Sequence, residues 1–158
     1  MRMFARRTAF TMTEMVIVVM VMGIMTAAAA PAFLNSLIHH RLEAAAQRVR
    51  VDIELARHTA RLTSSTQSLT FTGTSYTISG GTNHLDSAST AYVVKLGDPP
   101  FDIESVSASF NGGQTISFNG YGAPATSGTV VLTANDRTIT VSVDTSTDNA
   151  SVSPIEMN

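Results

Sequence analysis

The sequence has no cysteine, so neither a disulfide framework nor a thiolate metal site is open to it, and stability must come from packing and strand pairing. It has no G-x-S-x-G elbow and no His and acid flanking a Ser in a recognised order, so nothing supports a nucleophilic serine. Gly120-Tyr121-Gly122 lacks the Lys and following helix of a phosphate loop and reads as a turn. The four histidines, His39, His40, His58 and His84, have no carboxylate at a ligand spacing, and no metal site is expected from them. Asp98, Asp102 and Glu104 lack the spacing of an EF-hand loop and read as a solvated loop. Basic residues are scarce in the second half. After Thr63 only Lys95 and Arg137 stand against eight acids, a balance that argues against a polyanion such as DNA as partner. Arg48, Arg50, Arg57 and Arg61 could still form a local patch if their helix is exposed.

Charge is also missing from Met15 to Ala30, an unbroken apolar run that Pro31 closes. Phe10 to Ala30 at about 1.5 Å per residue reaches roughly 31 Å, enough for one membrane span. Arg2, Arg6 and Arg7 precede the run and predict a cytoplasmic N-terminus, with the bulk of the chain outside. These three are among ten basic residues; without them seven basic side chains face twelve acidic ones. One acid, Glu14, stands at the start of the run. A carboxylate at the edge of hydrocarbon costs roughly 2.5 to 3.5 kcal/mol and needs a named cationic partner. A cut after Ala9 would free an amine at Phe10, which a neighbouring copy supplies to Glu14 more easily than the same helix does. A secretory signal peptide fits worse, because its cut would fall after Ala28-Ala29-Ala30, just before Pro31.

Beyond Pro31, Leu42, Ala45, Ala46, Val49, Ile53, Ala56 and Ala60 recur at spacings of three and four, one face of an amphipathic helix. Arg41, Glu43, Arg48, Arg50, Glu54, Arg57 and Arg61 fill the other face, with Arg50 and Glu54 as an i,i+4 pair. From Thr63 the composition turns to Ser, Thr, Gly and β-branched residues. Strands are predicted at 68–71, 75–79, 91–96, 103–110, 114–118, 129–134 and 137–144. Gly80-Gly81, Gly97-Asp98-Pro99-Pro100, Asn111-Gly112-Gly113, Asn119-Gly120-Tyr121-Gly122 and the hairpin signal Asn135-Asp136 separate them. The expected fold is α+β, a long N-terminal helix packed on an antiparallel β-sheet domain. The expected division is a leader at 1–9, an anchor and assembly helix at 10–31, an amphipathic helix at 32–62 and a β-rich globular domain at 63–158.

The basic leader, the small Ala9, Phe10-Thr11 and Glu14 as fifth residue after the cut resemble the class III signal segment of type IV pilins and pseudopilins. Gly23 and Pro31 fall where that family places its helix-loosening residues. The family nearly always has Gly before the cut, and this chain has Ala9. Arg41 to Ala46, Asp52 to Arg57, Phe118 to Gly122, Gly128 to Leu132 and Arg137 to Val141 are similar to the GspH/FimT family, the H-type minor pseudopilins of type II secretion and related minor pilins. The family usually ends in a Gly-rich turn and a final strand, where this chain has Asp144 to Val152. The resemblance implies cleavage between Ala9 and Phe10 by a prepilin peptidase, N-methylation of Phe10, and pairing of Glu14 with the amine of an adjoining subunit. It implies no enzyme activity and no cofactor. The partners it implies are the membrane, the peptidase and other pseudopilins or pilins in a filament. Some FimT-type pilins bind DNA, which keeps pilus assembly with DNA uptake as an alternative.

Overall fold

A computed structural model describes residues 10–82, 91–146 and 150–157. The chain divides into two compact units, Met1–Leu37 and Ile38–Asn158. The helix α1 (Met12–Thr63) begins in the first and ends in the second.

Helix α1 starts where the backbone N–H of Glu14 donates to Thr11 Oγ1 at 3.2 Å, which makes Thr11 the N-cap. Thr-x-x-Glu is also the spacing of a capping box. The helix stops with Ser64 in the left-handed region (φ 49), while Ser65 N–H donates to the Ala60 carbonyl at 3.2 Å. This is a Schellman closure with serine in the place where glycine is usual.

In the second unit the predicted apolar face is the buried face. Leu42, Ala45, Ala46, Val49, Ile53, Ala56 and Ala60 are all fully buried. Four of them are alanines, and their small size lets the helix backbone lie close to the strands. The strands are β1 (Gln67–Thr72), β2 (Ser75–Thr82), β3 (Ala91–Lys95), β4 (Ser105–Phe110), β5 (Thr115–Phe118), β6 (Gly128–Ala134), β7 (Arg137–Val143), β8 (Ala150–Val152) and β9 (Glu156–Met157).

The antiparallel β-sheet domain expected from the sequence is built as two sheets. One has the order β3-β2-β1-β5, the other β4-β6-β7-β8, with β9 also on β7. The β4–β5 connection carries the chain from one sheet to the other. Its turn is closed by Phe110 N–H to the Gly113 carbonyl at 2.9 Å and the reciprocal bond at 3.0 Å. Phe110 stacks on Phe71 of the other sheet, ring centroids 6.2 Å apart, so one core serves both. The Phe110 ring also covers Gly128, its register partner. A Cβ there would lie 2.2 Å from Phe110 Cδ1, which leaves room for glycine alone. Between β6 and β7, Asn135 (φ 52) and Asp136 make the two-residue hairpin that their chemistry predicts.

The C-terminal end, unassigned from sequence beyond Asp144, is an edge strand with a one-residue bulge. Val152 pairs with Val141 and Glu156 with Thr138, so three residues on one side oppose two on the other. Ser153 holds the irregular place twice: its N–H donates to the Thr140 carbonyl at 2.9 Å and its Oγ accepts from Thr140 N–H at 3.1 Å.

Candidate assembly segment and its supporting network

Phe10 lies just ahead of α1 and is exposed. Ala9, on the other side of the expected cut, lies outside the described residues, as do Arg2, Arg6, Arg7 and His84. Glu14 occupies the first helical turn, where the free N–H groups of the helix end favour a carboxylate by a few tenths of a kcal/mol to about 1 kcal/mol. The N-terminal position thus gives Glu14 a modest intrachain reason beside the cationic partner expected of it.

From Met12 to Met25 every large apolar side chain of α1 is exposed, none less than the 42% of Val18. Gly23 has open space around the position of a Cβ. Among the described residues nothing requires its lack of a side chain, although a mid-helix Gly costs about 1 kcal/mol relative to Ala. Pro31 lies within the span of α1. Among the described residues no helix is long and apolar enough to cross a membrane. The apolar run of the sequence goes on through Ala28-Ala29-Ala30.

In the second unit the residue that sequence reasoning missed is Asp52. It falls on the flank of the apolar face and is 2% exposed. Its carboxylate Oδ2 accepts from Tyr76 Oη at 2.5 Å, from Arg48 Nε at 3.1 Å and from Tyr92 Oη at 3.0 Å, and Oδ1 also accepts from Tyr92 at 3.0 Å. Arg48 Nη2 donates in turn to the Tyr92 hydroxyl. The network joins α1 to β2 and β3, and it satisfies a buried acid that would otherwise cost several kcal/mol. Burial pushes the Tyr76 phenol far above its usual range, and the Asp52 charge adds to the shift. Tyr92 moves upward for the same two reasons. Desolvation is the largest single influence on Arg48 and opposes its charge, but the Asp52 carboxylate together with Tyr92 and Tyr76 more than offsets it and shifts the guanidinium upward. The sequence signal was faint: an acid at i+4 from an Arg, beside a stripe of alanines.

The helix charges sort differently from the expected solvated face. Glu54 pairs with Arg57 at 3.4 Å, not with Arg50, and its other oxygen accepts from Ala150 N–H at 3.3 Å. Arg61 Nε donates to the Tyr121 carbonyl at 2.8 Å. Arg41 bridges to Asp102 at 2.6 Å and Lys95 to Asp98 at 3.5 Å, so two acids of the loop before β4 serve ion pairs. Among the described residues no group of three or more His, Asp or Glu could hold a metal ion. His39 and His40 meet edge to face at 5.9 Å.

Phe118-Asn119-Gly120-Tyr121-Gly122 clasps the C-terminal end of α1. A Cβ on Gly120 would be 2.8 Å from the Ser64 carbonyl carbon, and one on Gly122 (φ 77) would be 2.3 Å from Arg61 Nε. Asn119 Oδ1 accepts from the N–H groups of Tyr121 and Ala123, both at 3.0 Å, and fixes the loop.

Comparison with known proteins fits this architecture. The family described as "Type II transport protein GspH" matches residues 45–147. No curated protein matches the sequence. Among solved structures, the type IV minor pilin FimU of Pseudomonas aeruginosa PAO1 is similar in fold, with a TM-score of 0.54 and 16% identity. The match covers 73% of this chain and 90% of that one. With an N-terminal helix packed on antiparallel sheets and a family match over more than half of its length, this chain belongs to the GspH family and has the pilin fold.

Proposed function

We propose that the protein is a minor pseudopilin, a non-enzymatic structural subunit of the type II secretion pseudopilus that supports protein export across the outer membrane. The observation that carries the reading is the exposed apolar half of α1, headed by Phe10 and Glu14 and joined to a folded unit of the GspH family. Exposed apolar surface on this scale needs a cover. In the unassembled subunit the cover is the inner membrane, crossed once with the N-terminus cytoplasmic and the globular unit outside. In the filament it is the helices of other pseudopilins.

The mechanism is assembly. A prepilin peptidase cuts between Ala9 and Phe10 and the new amine is methylated. The Glu14 carboxylate pairs with the Phe10 amine of an adjoining subunit as the helix leaves the bilayer. Gly23, whose Cβ position meets nothing among the described residues, allows close approach of a neighbouring helix, and Pro31 loosens the helix. Of the candidate DNA-binding arginines, Arg48, Arg57 and Arg61 already hold Asp52, Glu54 and the Tyr121 carbonyl, which adds to the case against a nucleic-acid partner.

The second reading, a minor pilin of a type IV pilus, is favoured by the fold likeness to FimU. Deletion of the gene separates the two. Loss of secreted enzymes from the culture medium with surface pili intact supports the secretion role, and loss of pili or twitching with normal secretion overturns it.

A further inference from the structure

Two Asn-Gly pairs occur in the sequence, Asn111-Gly112 and Asn119-Gly120. A glycine after asparagine leaves its backbone nitrogen open to the asparagine side chain, because no Cβ stands in the way. Both asparagines are exposed, so access to water does not tell them apart. Their hydrogen bonds do. Asn119 Oδ1 accepts from the N–H groups of Tyr121 and Ala123. The Asn119 backbone N–H donates to the Ala123 carbonyl at 3.0 Å, and its own carbonyl accepts from Gly122 N–H at 2.7 Å. Gly120 is backed against Ser64. Asn111 is held far less. Among the described residues neither its side chain nor the Gly112 N–H makes a hydrogen bond, and a Cβ on Gly112 would meet nothing within 4 Å. Asn111 (φ 50) and Gly112 (φ 85) form an exposed turn that the two bonds between Phe110 and Gly113 close.

We infer that Asn111 is a site of spontaneous deamidation and that the fold protects Asn119 from the same reaction. The Gly112 nitrogen gives up its proton to base and forms a bond to Asn111 Cγ. The side-chain nitrogen leaves as ammonia, and a succinimide ring remains. Water then opens the ring. Addition at the side-chain carbonyl gives aspartate, and addition at the main-chain carbonyl gives isoaspartate, in which the main chain runs through the side-chain carbons. In sum an amide and water become a carboxylic acid and ammonia, and nothing is oxidised or reduced. The bond forms only after rotation about Asn111 Cα–C, which the closed turn resists. Opening that turn is a local event at an exposed loop end, of the kind that requires the least free energy in a folded chain. The same rotation at Asn119 would undo the clasp on the end of α1. The product puts a negative charge beside Phe110, which stacks on Phe71 of the other sheet, so the turn between β4 and β5 changes its charge as the protein ages.

Full-length protein in detergent, incubated warm at mildly alkaline pH, provides the test. Peptide mapping by mass spectrometry follows the replacement of each side-chain NH₂ by OH, and labelling by an isoaspartyl methyltransferase reports the rearranged product. Asn111 should convert at least about tenfold faster than Asn119 in the folded protein, because local opening exposes one site and not the other. In guanidinium chloride the two rates should become equal. Asn111→Gly, which tolerates the same positive φ and has no amide to lose, should remove most of the methyl label from the folded protein. Equal conversion of the two sites in the folded state, a stable Asn111, a difference that persists after unfolding, or a label that survives Asn111→Gly would each overturn the inference. None of these results depends on the role proposed for the protein in secretion.

Discussion

Tyr76 on β2 donates its hydroxyl to Asp52 on α1 at 2.5 Å, with both residues fully or almost fully withdrawn from water. A helix packed on a sheet through alanines can slide or rotate at small cost, since small side chains interlock weakly. A buried carboxylate with fixed donors resists this, because any other placement leaves it unsatisfied. The exposed face of α1 in the second unit keeps its orientation for that reason.

Tyr76→Phe should destabilise the globular unit by roughly 1.5 to 3 kcal/mol, the usual range for a hydrogen bond to a charged group. Asp52→Ala should do at least as much harm, because both tyrosine hydroxyls and Arg48 lose their acceptor. Urea denaturation of the full chain in detergent, followed by tyrosine fluorescence, measures both. A Tyr76→Phe midpoint equal to that of the parent would show that the network contributes nothing net.

The same network predicts weakening in alkali. Tyr76 and Tyr92 ionise in the folded unit above the ordinary value of 10.0. The folded state thus keeps protons that the unfolded chain gives up, so the contribution is whole below pH 10 and is lost as pH rises beyond it. Near-ultraviolet tyrosinate absorbance should show these two groups ionising together with unfolding. Ionisation of both at pH 10 in a chain with native circular dichroism would contradict the buried network.

Gly120→Ala, Gly122→Ala and Gly128→Ala should each lower stability by about 1 to 3 kcal/mol through overpacking or backbone strain. Gly23→Ala should leave the fold intact and impair filament incorporation alone. Thermal melts and co-purification with the other pseudopilins separate the two classes. Equal loss of stability in all four would refute the distinction.

Mass analysis of the membrane-extracted protein should find a mature chain that begins at Phe10. Glu14→Gln should leave cleavage and insertion unchanged, since Gln also serves at the third position of a capping box. Incorporation should drop, because the amine of the adjoining subunit loses a partner in an apolar setting, a loss of roughly 3 to 5 kcal/mol. Wild-type incorporation of the Gln variant would exclude an inter-subunit Glu14 pair. A mature chain cut near Ala30 would remove the proposed segment altogether.

Much of the fold was legible because its signals were local. The spacing of Leu42 to Ala60 marked the buried helix face, and Asn135-Asp136 marked a hairpin from turn chemistry alone. The division into two sheets was not legible, because it depends on Phe110 reaching Phe71 across the core. Asp52 escaped notice because its partners, Tyr76 and Tyr92, come from strands whose pairing no short window contains. The final strand was hidden by its bulge, since Ser153-Pro154 breaks the alternation by which strands are recognised.

That bulge also bears on how the protein polymerises. A subunit that must self-associate through helices carries sheet edges that offer a competing route, strand added to strand without limit. Pro154 has no N–H to offer an incoming strand, and Ser153 turns its hydrogen bonds inward to Thr140. The edge at β8 and β9 is thereby a poor template for amyloid-like growth. Pro154→Val, which restores the donor and a strand-forming side chain, should leave the native unit folded yet make it prone to thioflavin-positive aggregation on prolonged incubation.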